Sequence, residues 1–341
     1  MKITKLIYLK LILSSLFLIN SCSETTTTSD MPKIMSLSKT VAVVGDTLVI
    51  SGYNFVSPQP IGAHAVCGGT QIINYISWSD STIVFLIPTD AVSGQVVVIV
   101  NSKTSNELSI TIHKNYFPSS VGNYWIYENF TLDDQGNKNL NSRIEDSTAI
   151  TLTWELYGKY CDIYTHNYDF STKEQYYYTE NGKLYATVAE IMPEKSQMPL
   201  PIDVPKAWIV IADPDSLLWE VFSQTFNNED IEIPNFGKGK LTGTFALKME
   251  KGEKKPINTG ENQTLSVMSQ EYKTLYTFDG NIKVGIFEFP LFFIVTEHRW
   301  YGENIGLILQ RLDSKTISLG GLYNYKIIGS ESGMLRYHVS Q

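Results

Sequence analysis

Cysteine is nearly absent: three residues, at positions 22, 67 and 161 of 341. None forms a Cys-x-x-Cys pair or a Cys/His spacing suited to zinc, so no metal site is expected from them. Cys67 and Cys161 fall in different proposed domains, so neither has a disulfide partner within its own domain. A bridge between the domains stays open in an oxidising compartment. The expectation is two separate thiols, packed as small hydrophobes. Histidine is scarce too: five residues, without HxH or HExxH spacing. No P-loop, no Rossmann glycine pattern and no GxSxG element occurs, which removes the common nucleotide and serine-hydrolase signatures; no cofactor is expected. Positive charge is in deficit, 27 Lys and Arg against 35 Asp and Glu, a formal net charge of −8. An acidic surface argues against nucleic acid and against charge-driven binding to anionic lipid. No long stretch holds a clean helical period, so the regular structure must be built mainly from strands.

What is present begins with a leader. Lys2, Lys5 and Lys10 are followed by apolar residues from Leu11 to Ile19, interrupted by Ser14 and Ser15. The stretch is too short to span a bilayer, which needs about 20 apolar residues. The charge-then-apolar layout is that of a secretory signal. Its end, Ile19-Asn20-Ser21-Cys22, resembles the lipobox of bacterial lipoproteins, with Asn20 a less usual spacer. The resemblance implies cleavage of residues 1–21 and acylation of Cys22; a plain secretory signal is the alternative. Loss of the three lysines would take the charge to −11. Residues 22–31 are mostly small and polar and read as a flexible lipidated tether.

Residues 32–113 show short runs rich in Val, Ile and Thr, the types that suit a pleated, half-buried surface. Thr47–Ser51, Ile72–Trp78, Thr82–Ile87, Gln95–Val100 and Leu108–Ile112 read as strands, separated by Gly, Asn, Asp and Ser turns. Many short strands in some 80 residues suggest a β-sandwich. The pieces Pro32-Lys33-Ile34, Gly45-Asp46 through Gly52-Tyr53-Asn54-Phe55, and Val66-Cys67-Gly68-Gly69 are joined by three more. These are Trp78-Ser79-Asp80-Ser81-Thr82-Ile83, Ile87-Pro88 and Ser93-Gly94-Gln95-Val96-Val97-Val98. Together they resemble the IPT/TIG family of immunoglobulin-like domains, with Cys67 where that family often carries an aromatic. The resemblance implies a spacer or binding module and no chemistry. Phe55 is expected to insert between the sheets.

Residues 114–341 are richer in aromatics and carry five of the six tryptophans. Tyr124–Thr131 alternates like a strand, and Asp133-Asp134-Gln135-Gly136-Asn137 would turn it. Asn181-Gly182 between Glu174–Thr179 and Lys183–Ala189 is a strong hairpin signal. Asp279-Gly280 suggests a second hairpin between Tyr272–Thr277 and Ile282–Phe289. Leu217–Phe226 suits either a short helix or a strand. The whole reads as an antiparallel meander, curved into a half-barrel or closed sheet. Tyr116–Tyr127 and Trp300–Ile308 are similar to the opening and closing segments of uncharacterised bacterial lipoprotein domains, which implies a β-sheet domain without assigned activity.

Chemistry is hard to place. Asp133, Gln135, Asn137 and Asn139 alternate oxygen ligands, but an EF-hand would have Gly and Glu where Lys138 and Ile144 stand; a hairpin turn explains them. His298-Arg299-Trp300 sets a base beside a cation and an aromatic, and packing on a sheet face is the expectation unless an acid pairs with His298. Glu229, Asp230 and Glu232 read as a solvated acidic loop. Asp46-Thr47-Leu48, Asp80-Ser81-Thr82, Asp146-Ser147-Thr148 and Asp215-Ser216-Leu217 resemble a bacterial O-glycosylation tripeptide, and turns or strand starts account for them equally.

The aromatics are the clearest functional signal, because Tyr and Trp offer apolar faces with a polar edge on which sugar rings stack. The candidates are Tyr176, Tyr178, Trp208, Trp219, Trp300 and Tyr301, weighed against packing in a sheet. Strand alternation sets Tyr177 opposite to Tyr176 and Tyr178, so at least one should face solvent or a groove. The expectation is an all-β, outer-membrane, lipid-anchored envelope protein. It would act as a non-catalytic binding module, with surface glycans as the ligand class. A structural or assembly lipoprotein that contacts envelope proteins, and a hydrolase with an unrecognised site, are the alternatives.

Overall fold

The computed structural model describes residues 31–168, 171–193, 198, 200–233, 237–319 and 323–340. Cys22 and the expected leader, residues 1–21, lie outside the described residues. The protein is all-β in two regions.

The first region comprises β1 (Lys33–Leu37), β2 (Val41–Val43), β3 (Thr47–Tyr53), β4 (His64–Cys67), β5 (Thr70–Gln71), β6 (Ser77–Trp78), β7 (Thr82–Leu86), β8 (Gly94–Val100), β9 (Lys103–Thr104) and β10 (Leu108–His113). One sheet has the order β1-β3-β7-β6, and the other β2-β10-β8-β4-β5 with β9 beside β8. Alternate residues of both sheets, including Leu48, Ile50, Ile83, Phe85, Val96, Val98 and Ile110, share one buried core. Phe55 is fully buried in it. Close approach at the end of β3 requires Gly52, because a Cβ there would lie 2.1 Å from the Lys33 carbonyl oxygen and 2.5 Å from the Phe55 ring. The expected strand over Ile72–Trp78 shortens to Ser77–Trp78. Tyr75 is responsible: its hydroxyl accepts from Ala65 N at 2.8 Å and donates to Ile72 O at 2.9 Å, which holds the segment as a loop.

The second region holds β11 (Tyr124–Thr131), β12 (Ile144–Leu156), β13 (Lys159–Tyr168), β14 (Ser171–Glu180), β15 (Lys183–Thr187), β16 (Trp208–Ala212), β17 (Leu218–Ile233) and β18 (Gly237–Thr259). It continues with β19 (Leu265–Val284), β20 (Phe287–Gly302), β21 (Gly306–Leu312), β22 (Lys315–Leu319), β23 (Tyr323–Ile327) and β24 (Ser330–His338). Twelve of these form one antiparallel sheet in the order β16-β15-β14-β13-β12-β11-β24-β21-β20-β19-β18-β17, and β22 pairs with β23. The sheet is a meander except where β24 returns to lie between β11 and β21. Leu217–Phe226, left open between helix and strand, is strand from Leu218.

The sheet is nearly closed. Its two end strands approach each other: Trp219 of β17 donates its indole N–H to the Val210 carbonyl of β16 at 2.9 Å. Ile209 and Ile211 of β16 share a core with Phe226, Phe245, Leu247, Met249 and Phe278 from the opposite wall. Burying a Phe side chain of this kind stabilises by about 1.5–3 kcal/mol. A smaller cluster of Trp125, Ile257, Val267, Trp300 and Ile308 packs separately.

The hairpin expected at Asp279-Gly280 does not form: β19 runs unbroken through it, and the chain reverses between Val284 and Phe287. Gly280 serves close packing instead. It pairs with Gly243 on β18, and a Cβ on Gly280 would lie 2.2 Å from Thr242 O and 2.5 Å from Gly243 Cα. The Asn181-Gly182 hairpin forms where expected. The strand expected over Lys183–Ala189 stops at Thr187, whose Oγ1 accepts from Glu190 N at 3.3 Å and starts one helical turn, Val188–Ile191. Cys67 and Cys161 are both buried and unpaired, and burial pushes the Cys67 thiol up to about 11. Among the described residues no helix is long and apolar enough to cross a membrane.

Candidate ligand-binding site

The curvature of the sheet leaves a chamber of about 330 Å³ on its inner side, enclosed by strands from β11 round to β24 and by the helical turn after β15. Strand alternation selects what faces in. On β14 the inward residues are Lys173, Gln175 and Tyr177; on β20 they are Glu297, Arg299 and Tyr301. Six tyrosines line it: 116, 127, 164, 177, 276 and 301.

Most of the polar groups are tied to one another. Tyr276 donates its hydroxyl toward the Ile191 carbonyl at 2.8 Å and the Glu297 carboxylate at 2.9 Å. Arg299 donates from Nη2 to Glu297 Oε2 at 2.7 Å and from Nη1 to Thr274 Oγ1 at 3.1 Å. Gln310 donates to the other Glu297 oxygen. Burial alone would lower the Arg299 pKa; Glu297 and the surrounding tyrosines offset that and hold the guanidinium firmly charged. Tyr127 donates to Leu307 O at 2.9 Å, and Tyr177 to Gln175 Oε1 at 3.2 Å. The hydroxyls of Tyr164 and Tyr301 have no protein partner among the described residues. Tyr301 is only 6% exposed. Burial pushes its hydroxyl up to about 12, so at neutral pH it remains an O–H donor. Among the described residues the Nε2 atom of His166, another lining residue, is buried without a partner, while its Nδ1 lies 2.8 Å from the Thr148 hydroxyl. The mouth carries exposed Lys173 and partly buried Glu190, whose carboxyl is raised by burial against the pull of Lys173 and His166. Buried polar groups normally have partners. A chamber with spare N–H and O–H groups and aromatic walls therefore suits a small molecule that has both hydroxyl acceptors and apolar faces.

Of the six aromatics singled out from sequence, Tyr301 stands in the chamber wall, packed edge-on by Phe117 at 4.9 Å. Tyr176, Tyr178 and Trp208 are grouped on the opposite face. Tyr178 stacks on Tyr185 at 4.3 Å and meets Trp208 edge-on at 4.9 Å. The Trp208 indole N–H is held by Leu156 O, and the Tyr176 hydroxyl by Glu174. Trp154, not singled out, stands 60% exposed on β12 on this outer side. Trp219 clasps the sheet ends as described, and Trp300 is buried in the smaller cluster. The six therefore do not line one groove. Sequence reading missed Tyr164, Tyr177, Tyr276, Glu297 and Arg299. One signal was available: Glu297 and Arg299, two apart in an apolar strand, share a face.

His298 pairs with two acids, Nδ1 at 2.7 Å from Glu271 and Nε2 at 3.3 Å from Asp313, and its ring stacks on Trp300 at 5.4 Å. A general base needs a ring nitrogen directed at the proton it removes. Both nitrogens of His298 are on carboxylates, which makes this a histidine–carboxylate cluster with no nucleophile on either ring nitrogen. The Asp133 loop is a turn: its Oδ1 accepts from Gln135 N and Asn137 N at 2.9 and 2.8 Å. Among the described residues no group of three or more His, Cys, Asp or Glu could hold a metal ion.

No protein-family model matches the chain, and no curated protein matches it. Among solved structures it is similar to a candidate lipoprotein from Parabacteroides distasonis, with 12% identity and a TM-score of 0.35 over 66% of this chain and 99% of that one. It is similar to a candidate exported protein with a YmcC-like fold from Bacteroides fragilis, with 11% identity and a TM-score of 0.31 over 66% of this chain and 100% of that one. An auxiliary nutrient binding protein from Bacteroides thetaiotaomicron aligns with 9% identity and a TM-score of 0.23, over 90% of this chain and 98% of that one.

Proposed function

We propose that this chain is an exported lipoprotein acylated at Cys22, in which an immunoglobulin-like body of the IPT/TIG kind, residues 32–113, carries a rolled sheet that binds a glycan without altering it. The carrying observation is the chamber, where the hydroxyl of the buried residue Tyr301, without a protein partner among the described residues, stands beside Tyr164 and Arg299 within aromatic walls. Sugar rings present apolar C–H faces to aromatics and hydroxyls to such donors. The leader and Cys22 support an outer-membrane, envelope location. The outer aromatics Tyr176, Tyr178 and Trp208, with Trp154, are the alternative location for the same ligand.

A glycan array followed by calorimetry on the mature chain tests the reading. Binding that weakens about tenfold in Tyr301→Phe and is unchanged in Trp154→Ala places the ligand in the chamber. The reverse pattern places it on the outer face. No binding to any glycan rejects the function. Intact-mass measurement of the envelope fraction should find fatty acid on Cys22, and Cys22→Ser should release the protein from the membrane.

A second reading, assembly with another envelope protein, is favoured by one observation. Ile286, in the turn before β20, and Phe287, Phe292 and Ile294, in its first half, are exposed at 87, 64, 66 and 43%. The ladder with β21 covers only Glu297–Gly302, so among the described residues no strand pairs with that edge upstream. Exposed apolar edges recruit partners. Cross-linking through residue 292, followed by mass spectrometry, tests this reading, and failure to recover a discrete partner counts against it.

A further inference from the structure

The charge arrangement of the chamber carries an inference about the kind of sugar it accepts, and it rests on the reading of the chamber as a sugar site. Arg299 and Glu297 are both withdrawn from solvent, with side chains 11% and 9% exposed. The guanidinium has five N–H groups, and its hydrogen bonds run to Glu297 and Thr274. The two Glu297 oxygens accept from Arg299, Tyr276 and Gln310. One buried positive charge is thus matched by one buried negative charge in the same wall. The remaining guanidinium donors act as hydrogen-bonding groups with little net charge behind them.

The other charged residues in the lining repeat the balance, with Lys173 against Glu190. The four Lys, Arg and Glu side chains of the lining thus cancel, yet the chamber holds the hydroxyls of Tyr164 and Tyr301, which have no protein partner among the described residues. Hydroxyl oxygens of an uncharged sugar satisfy those donors at no electrostatic cost. A carboxylate placed against Arg299 would also lie close to the Glu297 carboxylate, and like charges repel strongly where the local dielectric is low. We infer that the Glu297–Arg299 pair makes the chamber selective for an uncharged sugar over its acidic counterpart, with Glu297 the residue that sets the selectivity.

The test uses the mature chain and two pairs of probes that differ only by a carboxylate at C6: D-glucose with D-glucuronic acid, and D-galactose with D-galacturonic acid. Calorimetry, with Trp125 fluorescence as a second readout because Trp125 lines the chamber, gives the affinity ratio within each pair. The expected result is preference for the uncharged member by about tenfold or more. Glu297→Gln keeps a hydrogen-bonding side chain but leaves the Arg299 charge uncompensated, so the ratio should fall to one or invert. Equal or tighter binding of the acidic member by the wild type overturns the inference while leaving the proposed function standing. A Glu297→Gln protein that is folded by circular dichroism and retains the wild-type ratio also overturns it. Should that variant not fold, the salt dependence of the wild type decides. Affinity for the uncharged sugar should be flat from low to high salt, and marked weakening with salt would show that an uncompensated charge holds the ligand. Failure of all four probes to bind, together with a silent glycan array, removes the proposed function itself.

Discussion

Replacing Tyr276 by phenylalanine removes one oxygen from the chamber wall and leaves the ring in place. The ring is 2% exposed and belongs to the main core of the second region, so packing is preserved and the hydroxyl is isolated as the variable. That hydroxyl carries a single proton shared between the Ile191 carbonyl at 2.8 Å and Glu297 Oε2 at 2.9 Å. A hydrogen bond to a charged acceptor contributes about 1.5–3 kcal/mol net, and a buried acceptor left without its donor adds about 1 kcal/mol or more. The Ile191 carbonyl sits in the helical turn and has few alternatives, so a loss of about 2–4 kcal/mol is expected. Urea unfolding of the second region, followed by tryptophan fluorescence, reads this as a lower midpoint at unchanged slope. In a double-mutant cycle with Glu297→Gln the two losses should fall short of additivity by about 1 kcal/mol, because both remove the same contact. A loss below about 0.5 kcal/mol, or full additivity, would mean that the hydroxyl does not tie the helical turn to β20.

Two further perturbations probe the frame of the chamber. Burial pushes the Asp162 carboxyl up to about 6, with only a bond from the Thr153 hydroxyl at 3.4 Å opposing. The folded state therefore prefers the protonated acid, and the stability it contributes below pH about 4 is lost as pH rises through about 6. Asp162→Asn should match the wild type near pH 4 and exceed it by about 1–2 kcal/mol above pH 7, a figure reduced for partial exposure; parallel stability–pH curves would refute this. Trp219→Phe removes the bond to Val210 that clasps the sheet ends. It should cost about 1–2 kcal/mol and speed amide exchange in β16 ahead of the central strands. Unchanged exchange there would mean that the core alone closes the sheet.

Sequence alone determined the strand content, because alternation and turn chemistry are local. Asn181-Gly182 turns where it should, Tyr124–Thr131 is a strand to the residue, and Phe55 is buried in the first core. Local chemistry misled at Asp279-Gly280, since a glycine needed for close approach to a neighbouring strand looks the same in sequence as one needed for a turn. The candidate site was less legible. Alternation says that Tyr176 and Tyr177 face opposite ways, but which face becomes the interior depends on the direction in which the sheet curls. That direction is decided by contacts between residues far apart in the chain: β16 packing on β18 and β19, Trp219 reaching Val210, and Tyr276 bonding to Ile191. Only once the sheet has rolled do Tyr164, Tyr177, Tyr276 and Arg299 meet, because a strand specifies its two faces and tertiary packing specifies which of them encloses a chamber.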